Sequence, residues 1–467
     1  MAHRLLEAGF TDLVVLEKAE SVGGTWFHNR YPGCACDVPA HLYSFSFAPI
    51  HDWSRPYPAQ PEILEYMQEV ADSFGVTPLC RFDTEVTGAV WDERSATWSI
   101  SIADGEVLEA DVVVSAIGMF NEPAYPDIDG LDDFAGTIYH SARWDWSHDL
   151  TGDRVGVIGS AASAVQFVPE IVTTAGQVHL FQRTANWVLP KADEPYSAET
   201  RELFMHEPER ILAIRQEIYR GMDSALVFSD AEINAAREDD GLAAIAVVAD
   251  AEVRARLVPD HPFGCKRPLF SNDYYPSFNR PNLELVTDHI ERVTADGIVT
   301  ADGTERLVDT IILSTGFHAT KFLSVIDVVG RDGVAIAAAW NLGAQAYLGI
   351  STTGFPNLFM LYGPNTNNGS LITMIEFAVA HVVAQIQRLV DDDLASIDVR
   401  REVMDAYNED LQRSIGEVVV WNAGCNDYYR TPEGRVVTQW PFSMSRFRDA
   451  TAAIDADAYE VSVRGRP

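Results

Sequence analysis

The sequence predicts an α/β protein of two dinucleotide-binding (Rossmann-like) domains with a helical insertion. Three observations carry this. Residues 155–158 form a short apolar run, followed by Gly159-Ser160-Ala161-Ala162-Ser163-Ala164 and by Val165, Phe167 and Val168 at helical spacing. That order is a strand, a tight glycine turn and a helix N-terminus. Residues 13–16 form a second apolar strand closed by Glu17, where a carboxylate suits ribose hydroxyls. From 198 to 259 the chain is rich in Glu, Arg, Ala and Leu at helical spacing, with Ser229 and Asp230 as candidate caps, so several helices interrupt the second unit.

A length of 467 residues exceeds one core and predicts two or three domains. The net charge of −35, from 69 acids against 34 bases, argues against nucleic acid or an anionic membrane as partner. No run of about 18 apolar residues predicts a membrane span, and no signal pattern opens the chain. The five cysteines, Cys34, Cys36, Cys80, Cys265 and Cys425, are scattered and odd in number. They read as unpaired thiols of a reducing cytoplasm, with no metal site.

Taken in order, 1–8 is a short helix stopped by Gly9. A glycine-rich loop belongs about 20 residues before Glu17. No such loop lies in the sequence, so the first unit is read as N-terminally truncated, with Met1 an internal methionine of a longer protein. Gly23-Gly24-Thr25-Trp26 allows backbone to approach a flat ligand. The turn-rich 29–37 segment ends on the carboxylate of Asp37. Residues 53–74 read as helical, 84–91 and 97–102 as strands, and 111–116 as a buried strand closed by Gly118. The strand 178–181 ends on Arg183 and Thr184 instead of an acid, which favours a 2′-phosphate and therefore NADP. The chain holds four lysines, so Lys266 beside Arg267 stands out. Residues 311–313 lead to Ser314-Thr315-Gly316-Phe317, and a helix runs through Ile372, Ile375, Val379 and Val382.

Between the two units stand Phe134, Gly136, His140, Trp144 and Asp145. Their spacing matches F-x-G-x-x-x-H-x-x-x-W-[PD], and the chain resembles the Baeyer–Villiger monooxygenases there. Gly23-Gly24-Thr25-Trp26 and Arg30-Tyr31-Pro32-Gly33 through Asp37 resemble that family's G-G-x-W and R-Y-P-G-x-x-x-D. The resemblance implies FAD and NADPH as cofactors, a small-molecule ketone and O2 as substrates, and an ester or lactone formed through a C4a-peroxyflavin. It implies Arg267 as the active-site cation, held by Asp37. Cofactor contacts would come from Glu17, Gly23, Gly24, Thr25, Trp26, Ala35, Cys36, Asp37, Tyr43 and Val86 on the flavin side. On the nicotinamide side they would come from Gly159, Ser160, Ala161, Ala162, Ser163, Ala164, Arg183, Thr184, Lys266 and Arg267. Tyr428, by the same resemblance a further cofactor contact near NADP, stands where the family usually has Trp, and Ala161 and Ala164 replace two glycines of G-x-G-x-x-G. The implied parts are an FAD domain at 1–133 and 319–467, a linker at 134–146, an NADP domain at 147–194 and 263–318, and the insertion at 195–262. Two other readings stay open: a flavin monooxygenase that oxidises sulfur or nitrogen, and a non-catalytic remnant that binds flavin poorly.

Overall fold

The structure is a computed structural model that describes residues 1–225, 228–425 and 427–465. Its centre is a five-stranded, wholly parallel sheet in the order Leu283–Val286, Gln177–Phe181, Arg154–Ile158, Thr310–Leu313, Thr137–His140. These strands are short apolar runs because a parallel sheet is covered on its faces. Val155, Val157, Ile311 and Ile312 are completely buried. After Ile158 the chain turns at Gly159, whose φ of +102° only glycine adopts readily, and enters the helix Ala162–Ile171.

Within the 134–145 segment, Thr137–His140 is an edge strand of this sheet. Gly136 is required there, since a Cβ would meet the Asp309 carbonyl oxygen at 2.3 Å.

The first unit is built differently. Val15–Leu16 pairs with Cys80–Arg81, and Val113–Ser115 pairs with Leu358–Met360. Among the described residues no strand joins these two pairs. The strands expected at 13–16 and 111–116 are correspondingly short. An antiparallel sheet of Val86–Asp92, Thr97–Ile102 and Val107–Ala110 stands beside them, extended by Asp327–Val329. The helix expected over 53–74 begins only at Gln60, because Pro56 and Pro58 precede it and Pro61 fits its first turn. The long helix Leu371–Asp391 closes the unit.

The insertion consists of Ala198–His206, Pro208–Ala225, Ala231–Ile245 and Ala251–Arg256. Asp230 caps the third through the amides of Glu232 and Ile233; Ser229 does not cap it. No helix among the described residues is long and apolar enough to cross a membrane.

One expectation is overturned. Cys265 and Cys425, 160 residues apart, form a disulfide, while Cys34, Cys36 and Cys80 are free. Spacing along a chain does not report which distant segments fold together, so the odd count concealed the pair.

Candidate functional site

Asp37 and Arg267 are 230 residues apart in sequence and meet at the junction of the two units. Arg267 Nη2 donates to Asp37 Oδ2 at 2.5 Å. The two side chains are half-buried, 38% and 28% exposed. The carboxylate's negative charge, working against desolvation, holds the guanidinium well above its ordinary pKa, so it stays a fixed cation.

Each partner is held from behind. Gly33 packs so closely on the helix Ala162–Ile171 that a Cβ would meet the Gln166 carbonyl oxygen at 2.6 Å. Gln166 Nε2 then donates to the Ala35 carbonyl at 2.9 Å, and Tyr31 Oη donates to Gln166 Oε1 at 3.0 Å. The Asp37 loop is thereby fixed to the second unit. Arg267 follows a turn at Gly264, φ +84°, where a Cβ would strike the Phe228 ring. The neighbouring Cys265 is bonded to Cys425, and Tyr428 lies alongside Arg267.

Four aromatic residues surround the pair. The buried Tyr428 hydroxyl lies next to the guanidinium but lacks a well-formed hydrogen bond. Tyr362 Oη donates to Asn367 Oδ1 at 2.8 Å, and Trp26 Nε1 donates to Tyr43 Oη at 3.2 Å. Burial pushes all three phenols up, so they stay protonated near neutral pH.

At the turn after Arg154–Ile158, Ala161 opens the helix Ala162–Ile171 without a side-chain cap, leaving backbone N–H groups for an anion. Asn186 Nδ2 holds the Ser160 carbonyl at 3.1 Å. Ala162 is exposed and Ala164 is buried against the sheet. Lys266 and the exposed Arg183 converge: burial first, then the charge of Arg183, lowers the lysine. Thr184 is half-buried next to Arg183.

Not every expected position joins this group. Glu17 Oε1 accepts from the Ala19 amide within its own turn, and Val86 pairs with Ile102 in the antiparallel sheet. Cys36 is buried, with its sulfur accepting from the Val38 amide. Gly23 and Gly24 have φ of +125° and +50°; a Cβ on Gly24 would meet nothing within 4 Å, so its face is open to a ligand. Thr25 starts the short helix Thr25–His28 beside it.

His140 lies behind the site. Its Nδ1 accepts from the Ala142 amide at 3.1 Å, and burial lowers its pKa to about 4, so it is neutral and packs against Phe317 and Tyr125. Trp144 packs on Phe167 and Tyr139. A cleft of about 560 Å³ beside His140 is lined by Phe134, Gly136 and Arg143, but not by Asp37 or Arg267.

Two supporting residues gave no usable signal in the sequence. Gln166 is a lone polar residue among Val165, Phe167 and Val168. Arg215, from the insertion, donates to the carbonyls of His41, Leu42 and Ser44 at 2.8–3.2 Å and so holds the turn that carries Tyr43. Its nearest acceptors are backbone carbonyls, which sequence does not distinguish, with the Ser44 hydroxyl and the Glu376 carboxylate beyond them.

Two dinucleotide-type units facing a carboxylate-held guanidinium define a flavin- and nicotinamide-dependent oxidoreductase. Residues 1–217 match the family model described as pyridine nucleotide-disulphide oxidoreductase. The chain is 41% identical over 472 residues to a Baeyer–Villiger monooxygenase of Streptomyces coelicolor, covering 98% of this chain and 90% of that one. It is 40% identical over 468 residues to another of Pseudomonas aeruginosa, covering 99% and 89%. Among solved structures, an oxidized steroid monooxygenase bound to NADP superposes with TM-score 0.87 at 32% identity, over 98% of this chain and 96% of that one. Cyclohexanone monooxygenase from Rhodococcus sp. Phi1 bound to NADP+ gives 0.89 at 29%, over 99% and 96%. The chain belongs to the Baeyer–Villiger monooxygenase family, NADPH-dependent flavoenzymes that use FAD.

The residues present fit both groups. Gly24 leaves an open face beside Trp26 and Tyr43, and Gly316, φ +80°, leaves another at the end of Thr310–Leu313. Lys266 and Arg183 converge as a doubly charged anion requires, and the Tyr428 hydroxyl awaits a partner.

Proposed function

We propose that this enzyme inserts one oxygen atom from O2 next to a ketone carbonyl, giving an ester or lactone, and that Arg267 is the residue on which the insertion depends. The observation that carries the reading is the fixed guanidinium held by Asp37 between the two units. FAD and NADPH, when bound, supply the reducing electrons and the activated oxygen.

The protein's part is placement of charge. A permanent cation lowers the pKa of an oxygen acid brought beside it, keeping that oxygen anionic and nucleophilic. The carbonyl oxygen gains negative charge when the carbonyl carbon is attacked, and the same guanidinium stabilises it. Asp37 engages Nη2 and fixes the plane of the fork, leaving other N–H donors for the reacting oxygens. Tyr43, Tyr362 and Tyr428, kept protonated by burial, serve as donors and not as bases. Lys266 and Arg183 hold the 2′-phosphate of NADPH, with the remaining nicotinamide-side positions around the pyrophosphate. We assign 1–133 and 319–467 to FAD, 147–194 and 263–318 to NADP, and 195–262 to a cover over the substrate entrance. The place of action is the cytoplasm.

The test is Arg267→Ala. NADPH oxidation continues while ester formation falls about 10²–10³-fold, the usual consequence of losing one such stabiliser. Product analysis by gas chromatography reads the result, and a normal ester yield overturns the assignment. Lys266→Ala raises KM for NADPH more than for NADH; an equal rise would remove the 2′-phosphate role.

A further inference from the structure

The mechanism above does not use the Cys265–Cys425 bond, yet both of its ends lie inside the site. Cys265 stands two residues before Arg267 and directly before Lys266; Cys425 stands three residues before Tyr428 and two before Asp427. The bond therefore joins the turn that carries both active-site cations to the loop whose phenol faces Arg267. The other ties across this junction are weaker: the charges of Lys266 and Asp427, and the ring packing of Phe228 on Phe263 and Trp421. Arg267 is also held by Asp37, and Tyr428 by the edge-on rings of Phe120 and Tyr429, so each segment stays folded, and the disulfide is the covalent tie between them. Asn426, between Cys425 and Asp427, lies outside the described residues.

We propose that Cys265 and Cys425 form a redox-modification site: as a disulfide the pair holds Arg267, Lys266 and Tyr428 in working register, and as two thiols it frees Tyr428 from the Cys265 turn and weakens both NADPH binding and oxygen transfer. The inference rests on the reading of Arg267 given above. The oxidant is a hydroperoxide. One thiolate attacks the O–O bond, giving a sulfenic acid; the second sulfur displaces its hydroxyl. With hydrogen peroxide, two thiols lose two electrons and two protons, and two waters leave. The reductant is a dithiol. Cys265 is fully buried and Cys425 only partly so, which directs an incoming thiolate to the Cys425 sulfur. Cys265 leaves as a thiolate, next in the chain to the Lys266 cation, and takes up a proton; the reductant's second thiol then frees Cys425. The remaining cysteines are poor substitutes. Burial raises Cys34, to about 12, and Cys36 still further, which leaves little thiolate for attack.

The experiment uses the holoenzyme after peroxide or dithiothreitol, alkylated and mapped by mass spectrometry, with ester yield per NADPH and KM for NADPH measured in parallel. A cross-linked 265–425 peptide is expected after peroxide and two alkylated cysteines after dithiothreitol. Reduction is expected to lower ester yield per NADPH about tenfold or more, in line with the cost of small displacements at a reacting centre. Peroxide restores it. Cys425→Ser behaves as the reduced enzyme in either medium, and Cys80→Ser responds as the wild type. No cross-linked peptide after peroxide, or a cross-link whose reduction changes neither KM nor yield, overturns the proposal. Failure of the Arg267 reading is distinguishable: Arg267→Ala would then form ester normally, while the peptide map still reports the state of the cysteines.

Discussion

The two dinucleotide-binding units share a strand vocabulary but not a structure. In the second, the strands Arg154–Ile158 and Thr310–Leu313 have neighbours on both edges, and most of their residues are completely buried. In the first, Val113–Ser115 has one neighbour, and its residues are only half-buried despite two valines. Strand propensity is the same in both; the packing over each strand decides how much apolar surface leaves water, since Leu358–Met360, paired on one edge among the described residues, is nonetheless buried, and that area sets the stabilisation. Their carboxylates differ in the same way. Asp309, in the second unit, forms a half-exposed ion pair with Arg154 whose bonds lower its pKa to about 2. Asp398, beside the first, is buried with Arg331 and the Gly354 amide, and desolvation raises it to about 6.

The sharpest way to break this comparison is Ile312→Ala in the central strand, which costs about 2–5 kcal/mol. Denaturant unfolding checks it, and a cost below about 1 kcal/mol would mean the two sheets do not differ as their burial says. Next comes pH. A carboxyl whose folded pKa is raised binds its proton more tightly when folded, so its stabilisation is complete below about 4 and is lost as pH rises through 6. Across that window wild type therefore loses about 2–3 kcal/mol relative to Asp398→Asn. Calorimetry at pH 4.5 and 7.5 reads this, and parallel curves would contradict it. Val114→Ala, in the half-buried strand, costs about 1 kcal/mol; a loss equal to that at Ile312 would erase the distinction. Smallest is Arg154→Ala, whose effect on stability is slight because the pair is half in solvent. That contribution is present above pH 4 and disappears as pH falls through 2, since the folded pKa of Asp309 is depressed. An unchanged acid limb in the variant would show the pair to be inert.

Much of the fold was legible. The strand–turn–helix around Gly159, the hairpin of Val86–Asp92 with Thr97–Ile102, and the four insertion helices follow from periodicity, turn residues and caps. The resemblance at Phe134, Gly136, His140 and Trp144 pointed to the family before any coordinates did. It did not show that Thr137–His140 is a sheet strand, because edge pairing depends on a partner 173 residues away. The pairing of Asp37 with Arg267 was an expectation from resemblance, since no local pattern links positions so far apart. Gln166 and Arg215 were invisible because their main partners, the carbonyls of Ala35 and His41, lie 131 and 174 residues away.

By itself the sequence determined the local elements and the class of chemistry, because helix and strand periods, glycine turns and a twelve-residue signature are short-range properties. Only the tertiary structure decided which distant side chains share a site. Arg267 beside Asp37, Lys266 beside Arg183 and Cys265 bonded to Cys425 are contacts that exist once packing brings the segments together, and burial then sets their charge and reactivity.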